Sequence, residues 1–439
     1  MSVGGKGGSP VSEQKLKIGL LGMGTVGGGV AAILERHREA LSEKAGAELV
    51  LERVLVRDPR RPRAVDLPAE RFTTEAASIL HDPSIDLVVE LMGGIEPARS
   101  YILEALRRGK YVVTANKDLM ARHGTELLEE AQRHRARIYY EASVGGGIPL
   151  IRPLKHCLAA NRIEKVIGII NGTTNYILTR MALEGSSFQE ALAEAQARGF
   201  AEADPANDLE GRDAAYKLAI IAALAFRRRI AVEDIYVEGI AGVAAEDIRY
   251  ARELGYAIKL LAVGEELLQG LALRVHPTLV PATHPLASVL HEFNAVYVVG
   301  DAVGEVMFYG RGAGAMPTGS AVVADIIDAA RTMRSRIKDG IMETTFAPAS
   351  VLPVSRLVSR FYLRLQAQDR PGVFAALATA FGEEQVSLDM IIQKRSEAGT
   401  AEIVLVTHDV IEERFNRAMQ RIEACEAIET VNSVFRVLE

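Results

Sequence analysis

Asp213 and Lys217 stand four residues apart, so a helix over this stretch puts both on one face. The helix that begins near Arg212 continues from Leu218 to Phe226 as an apolar run, the pattern of a buried helix. An exposed Asp–Lys pair is usually an ordinary surface ion pair. On a buried helix the same two charges are costly unless they are paired or face a polar cleft. A lysine held by a carboxylate can donate a proton and stabilise negative charge developing on a nearby oxygen. The segment that leads into the helix carries Gly199, Glu202, Asp204, Pro205, Asn207, Asp208, Glu210 and Gly211, an acid-rich turn.

A second constellation is Gly22-Met23-Gly24-Thr25-Val26-Gly27, directly after an apolar run and at the start of a helical pattern. The first glycine permits a tight turn, the second lets backbone approach a pyrophosphate, and the third allows close helix-to-strand packing. The helix N-terminus adds free N–H groups and the positive end of its dipole. In this strand-to-helix context the loop reads as a dinucleotide site. At the end of the second strand the chain reads Val56-Arg57-Asp58-Pro59-Arg60-Arg61. Arg57 can pair with a 2′-phosphate and Asp58 can hold a ribose hydroxyl, while a solvated loop of charges explains the run equally well. NADP(H) is favoured and NAD(H) stays open.

These groups need elements to hold them. Strand-like runs at 16–21, 49–56, 85–91, 111–115 and 138–141 alternate with helical spacing at 26–38 and 99–108, which indicates a parallel sheet covered on both faces, a Rossmann domain over 15–140. Residues 1–14, rich in Gly, Ser and Pro, read as a flexible leader. From 141 to 345 the texture is α+β, with strands at 166–170, 271–275 and 295–299 and helices at 188–198 and 212–226. This domain is expected to share a cleft with the first and to carry dimer contacts, its last helix packing back on the first domain. After Pro348 and Pro353, residues 355–439 follow the order βαββαβ, a ferredoxin-like pattern.

Composition narrows the function. The chain has 439 residues, enough for about two to four domains. Its 49% hydrophobic and 25% charged content is that of a globular protein. With 51 Lys plus Arg against 57 Asp plus Glu and no basic block, nucleic-acid and anionic-membrane partners are not expected. No apolar run approaches the roughly 20 residues a membrane helix needs, and the Gly-rich start does not read as a signal peptide. Two cysteines, Cys157 and Cys425, suit a reducing compartment, and a cytoplasmic protein is expected. Cys157 next to His156 keeps a thiolate nucleophile in view, but a small buried hydrophobe is the better reading. His156 and His276 show no ligand spacing and read as surface or capping residues.

Several segments together resemble the homoserine dehydrogenases. They are the glycine loop, Thr114-Ala115-Asn116-Lys117, Glu141-Ala142-Ser143-Val144-Gly145-Gly146-Gly147-Ile148-Pro149 and Asn171-Gly172-Thr173-Thr174-Asn175-Tyr176. The acid-rich turn leading to Asp213 and Lys217, and Gly312-Ala313-Gly314-Ala315-Met316-Pro317-Thr318, complete the set. The tail Asp369-Arg370-Pro371-Gly372-Val373 resembles an ACT domain, a small amino-acid-sensing module. The resemblance runs from about Lys15 to the end, with Asn207 as a departure where some members carry an acid.

The resemblance implies reversible reduction of L-aspartate 4-semialdehyde to L-homoserine with NAD(P)H. It makes Lys217 the proton donor and puts Lys117 where cofactor and substrate meet. Glu202, Asp208 and Asp213 would hold the substrate. Gly22, Gly24, Thr25, Val26, Gly27, Arg57, Gly93, Thr114, Lys117, Gly199, Glu202 and Gly314 would touch the cofactor. Glu141, Val144, Gly146 and Ile148 resemble a loop for Na⁺ or K⁺, one carboxylate plus three backbone carbonyls, against a plain Gly-rich hinge. Asp369, Gly372 and Ser387 would bind an effector, with L-threonine as the candidate and Ser387 facing the turn across an interface between modules. A homodimer or homotetramer is expected. The rival readings are a Cys-dependent acylating semialdehyde dehydrogenase and an amino-acid sensor without turnover.

Overall fold

The computed structural model describes residues 15–63, 65–335, 346–395 and 399–438, and the expected leader 1–14 lies outside them. Two compact units emerge. The first contains the chain up to Ala159 with 227–229 and 310–347, and the second contains 160–226, 230–309 and the chain from Pro348 on.

In the first unit, strands β1 (Lys15–Leu21), β2 (Glu48–Leu55), β3 (Phe72–Thr73), β4 (Leu87–Glu90), β5 (Tyr111–Thr114) and β6 (Ile138–Tyr139) form one sheet in the order β3-β2-β1-β4-β5-β6. Every pairing is parallel. The chain runs outward one way from β1 to β3 and the other way from β4 to β6, so β1 and β4 flank a topological switch point, where such sheets bind ligands. Helices α1 (Thr25–Arg36), α2 (Arg38–Ala45), α3 (Ala77–Leu80), α4 (Ala98–Arg107) and α5 (Lys117–Arg133) connect the strands. One core joins Ile18, Leu20, Val30 and Leu34 to Val322, Ile326 and Ala329 of the late helix Ala315–Arg334. That helix crosses α1 closely because both are glycine at the contact. A Cβ on Gly29 would stand 2.1 Å from the Ala315 carbonyl oxygen, and one on Gly319 3.0 Å from the Gly29 carbonyl carbon.

In the second unit, the part before the tail supplies β7 (Ile163–Ile169), β8 (Tyr236–Val237), β9 (Tyr256–Leu267), β10 (Gly270–Pro281), β11 (Phe293–Gly300) and most of β12 (Gly304–Arg311). Helices α6 (Gly172–Glu184), α7 (Phe188–Ala197), α8 (Arg212–Ala225) and α9 (Ala245–Glu253) belong with it. The tail supplies β13 (Val358–Gln368), α10 (Val373–Glu383), β14 (Leu388–Arg395), β15 (Thr400–Thr407), α11 (Glu412–Glu423) and β16 (Ile428–Val437), the expected βαββαβ order. Its helices cover one face, where Phe361 and Phe415 stack with centroids 3.8 Å apart among Leu365, Leu377 and Phe381.

The two parts are not separate sheets. Nine strands of a single 11-stranded sheet follow the path β12-β11-β7-β9-β10-β16-β13-β15-β14, because β16 pairs in parallel with β10 at Thr278↔Arg436 and Leu279↔Val437. The join is reinforced by Asp247 of α9, fully buried, which accepts from Arg364 Nε at 2.6 Å, Tyr362 Oη at 3.1 Å and Ser433 Oγ at 2.6 Å. A buried carboxylate is tolerable with this many donors. Among the described residues no helix is long and apolar enough to cross a membrane.

Candidate functional site

The glycine loop follows β1 and opens α1. Gly22 has φ +97°, and a Cβ there would stand 2.9 Å from the Leu91 carbonyl oxygen. A Cβ on Gly27 would stand 2.3 Å from Gly22 O, so helix and turn touch through bare backbone. At Gly24 a Cβ would meet nothing within 4 Å, and no side chain caps the first turn of α1. The exposed Gly24 and Thr25 and the half-buried Val26 therefore present uncovered backbone at a helix N-terminus. This fits the pyrophosphate of a dinucleotide.

Across the switch point, Gly93 and Gly94 take φ +75° and +73° with open space around them. A fully buried carboxylate, Glu90, holds this turn. Its Oε1 accepts from Met92 N at 2.7 Å and Gly93 N at 3.2 Å, and its Oε2 accepts from Thr114 Oγ1 at 2.7 Å. Asn116 ties in by donating to Gly94 O at 2.6 Å while its Oδ1 caps α5 at Leu119 N, 3.1 Å. Gly93 and Thr114 are thus brought together, by a glutamate that sequence reading missed. Lys117, half-buried, is the first residue of α5. Arg57 is exposed beyond β2, and the Asp58 carboxylate accepts from Arg60 N at 2.9 Å, folding its own turn. Gly314 precedes the late helix with φ +121°.

The 141–148 loop differs from expectation in one respect. The buried Glu141 carboxylate accepts from Leu150 N at 2.6 Å, Ile151 N at 2.8 Å and Arg152 N at 2.8 Å. It caps the start of the next helical turn, and three amide donors occupy most of its lone pairs. A side-chain cation ligand at Glu141 does not fit this arrangement. Val144, Gly146 and Ile148 are buried, and a Cβ on Gly146 would stand 2.3 Å from Gly312 O. Nearby, Asp325 accepts from Glu141 N at 2.9 Å and Arg152 Nη2 at 2.7 Å. Burial outweighs Arg152 and pushes its carboxyl up to about 7. Among the described residues no group of three or more His, Cys, Asp or Glu could hold a metal ion.

In the second unit, β7 ends at Ile169, and Asn171 caps α6 by accepting from Thr174 N at 2.9 Å. The Asn171 amide nitrogen donates to Asp208 Oδ1 at 2.7 Å and Asp213 Oδ2 at 2.9 Å, bridging the two carboxylates. Lys217 Nζ donates to the same Asp213 oxygen at 2.7 Å and to Ile170 O at 2.8 Å. The Thr173 hydroxyl reaches Phe200 O at 2.6 Å and Asp208 Oδ2 at 3.1 Å. Burial, and then the charge of Asp213, raise the Asp208 pKa above the ordinary carboxylate range. The side chains of Asp213 and Lys217 are 10% and 13% exposed, so this is not a surface ion pair.

Lys217, Asp213 and Asp208 therefore form one group, with Asp208 turned inward beside the exposed Asn207. Glu202 is exposed, and among the described residues no hydrogen bond ties its carboxylate to the group. Gly199 follows α7 with φ +75°. Asn171 and Thr173 were absent from the expected site. Their signal was the capping-type asparagine between strand and helix.

Three other expectations need correction or qualification. Cys157 is exposed rather than buried, and His276 is 2% exposed and so not a surface residue, whereas His156 is exposed as expected. In the tail, Asp369 and Gly372 share the turn into α10, where Gly372 has φ +96°. Ser387 is elsewhere in the chain. Gln368 pairs with Thr400 at one end of β15, whereas Leu388 pairs with Thr407 at the other, about 20 Å away. One chain does not bring Ser387 to the turn.

Comparison with known proteins bears on the identity of these units. Residues 22–141 match the NAD-binding domain of homoserine dehydrogenase, 149–327 match homoserine dehydrogenase itself, and 361–427 match the ACT domain. The homoserine dehydrogenase of Synechocystis sp. is 48% identical over 434 residues, covering 96% of this chain and 99% of the relative. The crystal structure of a homoserine dehydrogenase from Thiobacillus denitrificans is 42% identical with a TM-score of 0.92, covering 97% of this chain and 99% of that one. A hyperthermophilic archaeal homoserine dehydrogenase solved in complex with NADPH is 26% identical with a TM-score of 0.62, covering 73% and 99%. The chain belongs to the homoserine dehydrogenase family, oxidoreductases, with a nicotinamide-dinucleotide-binding domain, a catalytic domain and a C-terminal ACT domain.

Proposed function

We propose that the chain catalyses the reversible reduction of L-aspartate 4-semialdehyde to L-homoserine with NAD(P)H, in the cytoplasm, on the route to threonine, methionine and isoleucine. The observation that carries this reading is the Lys217–Asp213–Asn171–Asp208 group. Two carboxylates against one ammonium leave a negative charge that suits the substrate's α-ammonium. Ile170 O and Asp213 Oδ2 fix the orientation of Lys217 Nζ and leave its third N–H for the substrate oxygen. When bound, the reduced nicotinamide supplies the hydride. Lys217 stabilises the charge that develops on the aldehyde oxygen and gives it a proton, then takes the proton back in the oxidative direction. Lys117 acts at the meeting of cofactor and substrate, and Glu202 assists in holding both.

Gly22, Gly24, Thr25, Val26 and Gly27 hold the pyrophosphate, and Gly93, Thr114, Gly199 and Gly314 shape the rest of the cofactor site. Arg57 pairs with a 2′-phosphate, which favours NADP(H), and the NADPH bound by the archaeal relative supports that choice. A Na⁺ or K⁺ ion would sit on main-chain carbonyls of Glu141, Val144, Gly146 and Ile148. L-threonine inhibits through Asp369 and Gly372, with Ser387 contributed by another copy of the tail in a homodimer or homotetramer. The reaction is tested by homoserine oxidation with NADP⁺. Lys217→Ala should abolish turnover and leave NADP(H) affinity nearly intact, and near-normal kcat would sink the assignment. The regulation is tested by activity against threonine concentration, where an unaffected enzyme would leave the tail a structural piece.

A further inference from the structure

On β10, Arg274, His276 and Thr278 occupy alternate positions and share one face of the sheet. Arg436 of β16 stands in register with Thr278. The segment that leads into the tail, through Arg356, Leu357 and Val358, completes the wall of a cavity of about 500 Å³ lined by these residues. All of it lies in the second unit, away from the Lys217 group, and the reaction proposed above makes no use of it.

The charges around the cavity are unevenly paired. Arg436 is neutralised by the buried Glu412, which accepts from its Nε at 2.7 Å and its Nη2 at 2.6 Å. Lys165 and Arg274 share one carboxylate, Glu265, at 3.7 and 3.9 Å, too far for hydrogen bonds. At the mouth, exposed Arg356 and Asp409 offset each other. Arg436 also meets Glu238 at 3.4 Å, and Arg360 on the wall meets Asp389 at 2.6 Å, so what remains is Arg274 without a hydrogen-bonded anion. Two polar atoms are also left over. Arg274 Nε and His276 Nε2 are buried and, among the described residues, have no hydrogen-bond partner. His276 is 2% exposed, and in the tautomer whose Nδ1 accepts from Thr278 Oγ1 at 2.9 Å its Nε2 carries the ring proton. Burial, then Arg436 and Arg274, hold the His276 pKa well below the usual histidine value.

We propose that this cavity binds a small organic monocarboxylate with a branched apolar body, its carboxylate between Arg274 Nε and His276 Nε2 and its body against Leu357 and Val358. A carboxylate supplies the acceptor that both unpartnered atoms lack, and the apolar walls disfavour a dianion such as phosphate. An α-amino acid fits less well, because its ammonium would lie near a buried guanidinium.

The test is calorimetric titration of the full chain with 4-methylpentanoate, inorganic phosphate and L-leucine. We expect saturable binding of 4-methylpentanoate at one site per chain, with the other two compounds weaker. Arg274→Met should weaken binding about tenfold or more by removing a charge-assisted hydrogen bond. Val358→Trp should do the same by filling the mouth. Val358 is 58% exposed, so that variant keeps the test valid if Arg274→Met does not fold. No saturation at millimolar 4-methylpentanoate, binding indifferent to both substitutions, or equal affinity for phosphate or L-leucine would each overturn the proposal.

Discussion

Asp208→Asn separates stability from activity at the proposed substrate site. The Thr173 hydroxyl has one proton and two acceptors, Phe200 O at 2.6 Å and Asp208 Oδ2 at 3.1 Å. When the proton goes to the nearer acceptor, an ionised Asp208 faces an oxygen lone pair at Oδ2. Asp213 adds like charge beside it. An asparagine in the same rotamer keeps its carbonyl on Asn171 Nδ2 and turns its amide nitrogen towards Thr173 Oγ1, which then accepts. One missing bond is made, worth about 1 kcal/mol. For a folding unit of this size that is about 2 to 4 °C in midpoint.

The pH dependence has a definite sign. Because the Asp208 pKa is raised on folding, ionisation opposes the fold. That penalty is absent below the unfolded value of about 4 and complete once pH rises through the raised folded value. The advantage of the asparagine should therefore be full at neutral pH and shrink on acidification. Activity should move the other way. Losing a charge-assisted contact with the substrate ammonium costs about 1.5 to 3 kcal/mol, or about ten- to a hundredfold in kcat/KM for homoserine. The assays are thermal unfolding at a series of pH values and steady-state kinetics. A midpoint below wild type at neutral pH, or an advantage that grows in acid, would refute the bonding scheme. Unchanged kcat/KM would remove Asp208 from substrate binding.

Two further substitutions test other parts of the chain. Arg57→Ala should raise KM for NADP⁺ more than for NAD⁺, since a guanidinium gains most from a 2′-phosphate, and equal effects would remove Arg57 from that role. Asp247→Ala should cost about 3 to 5 kcal/mol by leaving the buried Arg364 without its main partner, seen as a lower unfolding midpoint and faster amide exchange in β13 and β16; an unchanged midpoint would show that the join does not depend on this carboxylate.

The parts of the fold legible in the sequence were those with local causes. The glycine loop could be read because Gly27 meets the backbone of Gly22 only five residues earlier. Asp213 and Lys217 could be read because helical spacing alone puts them together. Asn171 could not be assigned its bridging role, since its partners lie 37 and 42 residues away. Glu90 looked like the end of an apolar strand, and nothing local marked it as the anchor of Met92, Gly93 and Thr114. Helix α5 went unread because charged residues crowd a sparse set of buried positions, Leu119, Met120, Leu127 and Ala131. Strand β12 went unread because every residue is exposed or only half-buried, so no apolar alternation marks it. At Glu141 the residue type suggested a ligand, but its carboxylate serves the backbone at 150–152.

The tail shows the same limit on a larger scale, with a consequence for experiment. Its βαββαβ pattern is local, and reads as a detachable module beginning near residue 355. The structure makes it part of the catalytic sheet, through β16 on β10 and through Asp247 beneath β13. Cutting the chain near Pro353 would therefore open the edge of β10, strip Asp247 of its side-chain donors and uncover Arg274 and His276. A truncated enzyme that lost threonine inhibition would not distinguish loss of an effector site from damage to the sheet. Substitution at the exposed Asp369, which carries no side-chain role in the join, changes the proposed effector turn and leaves β16 on β10. Regulation by the tail is thus to be sought through point changes at 369–372, with the sheet intact.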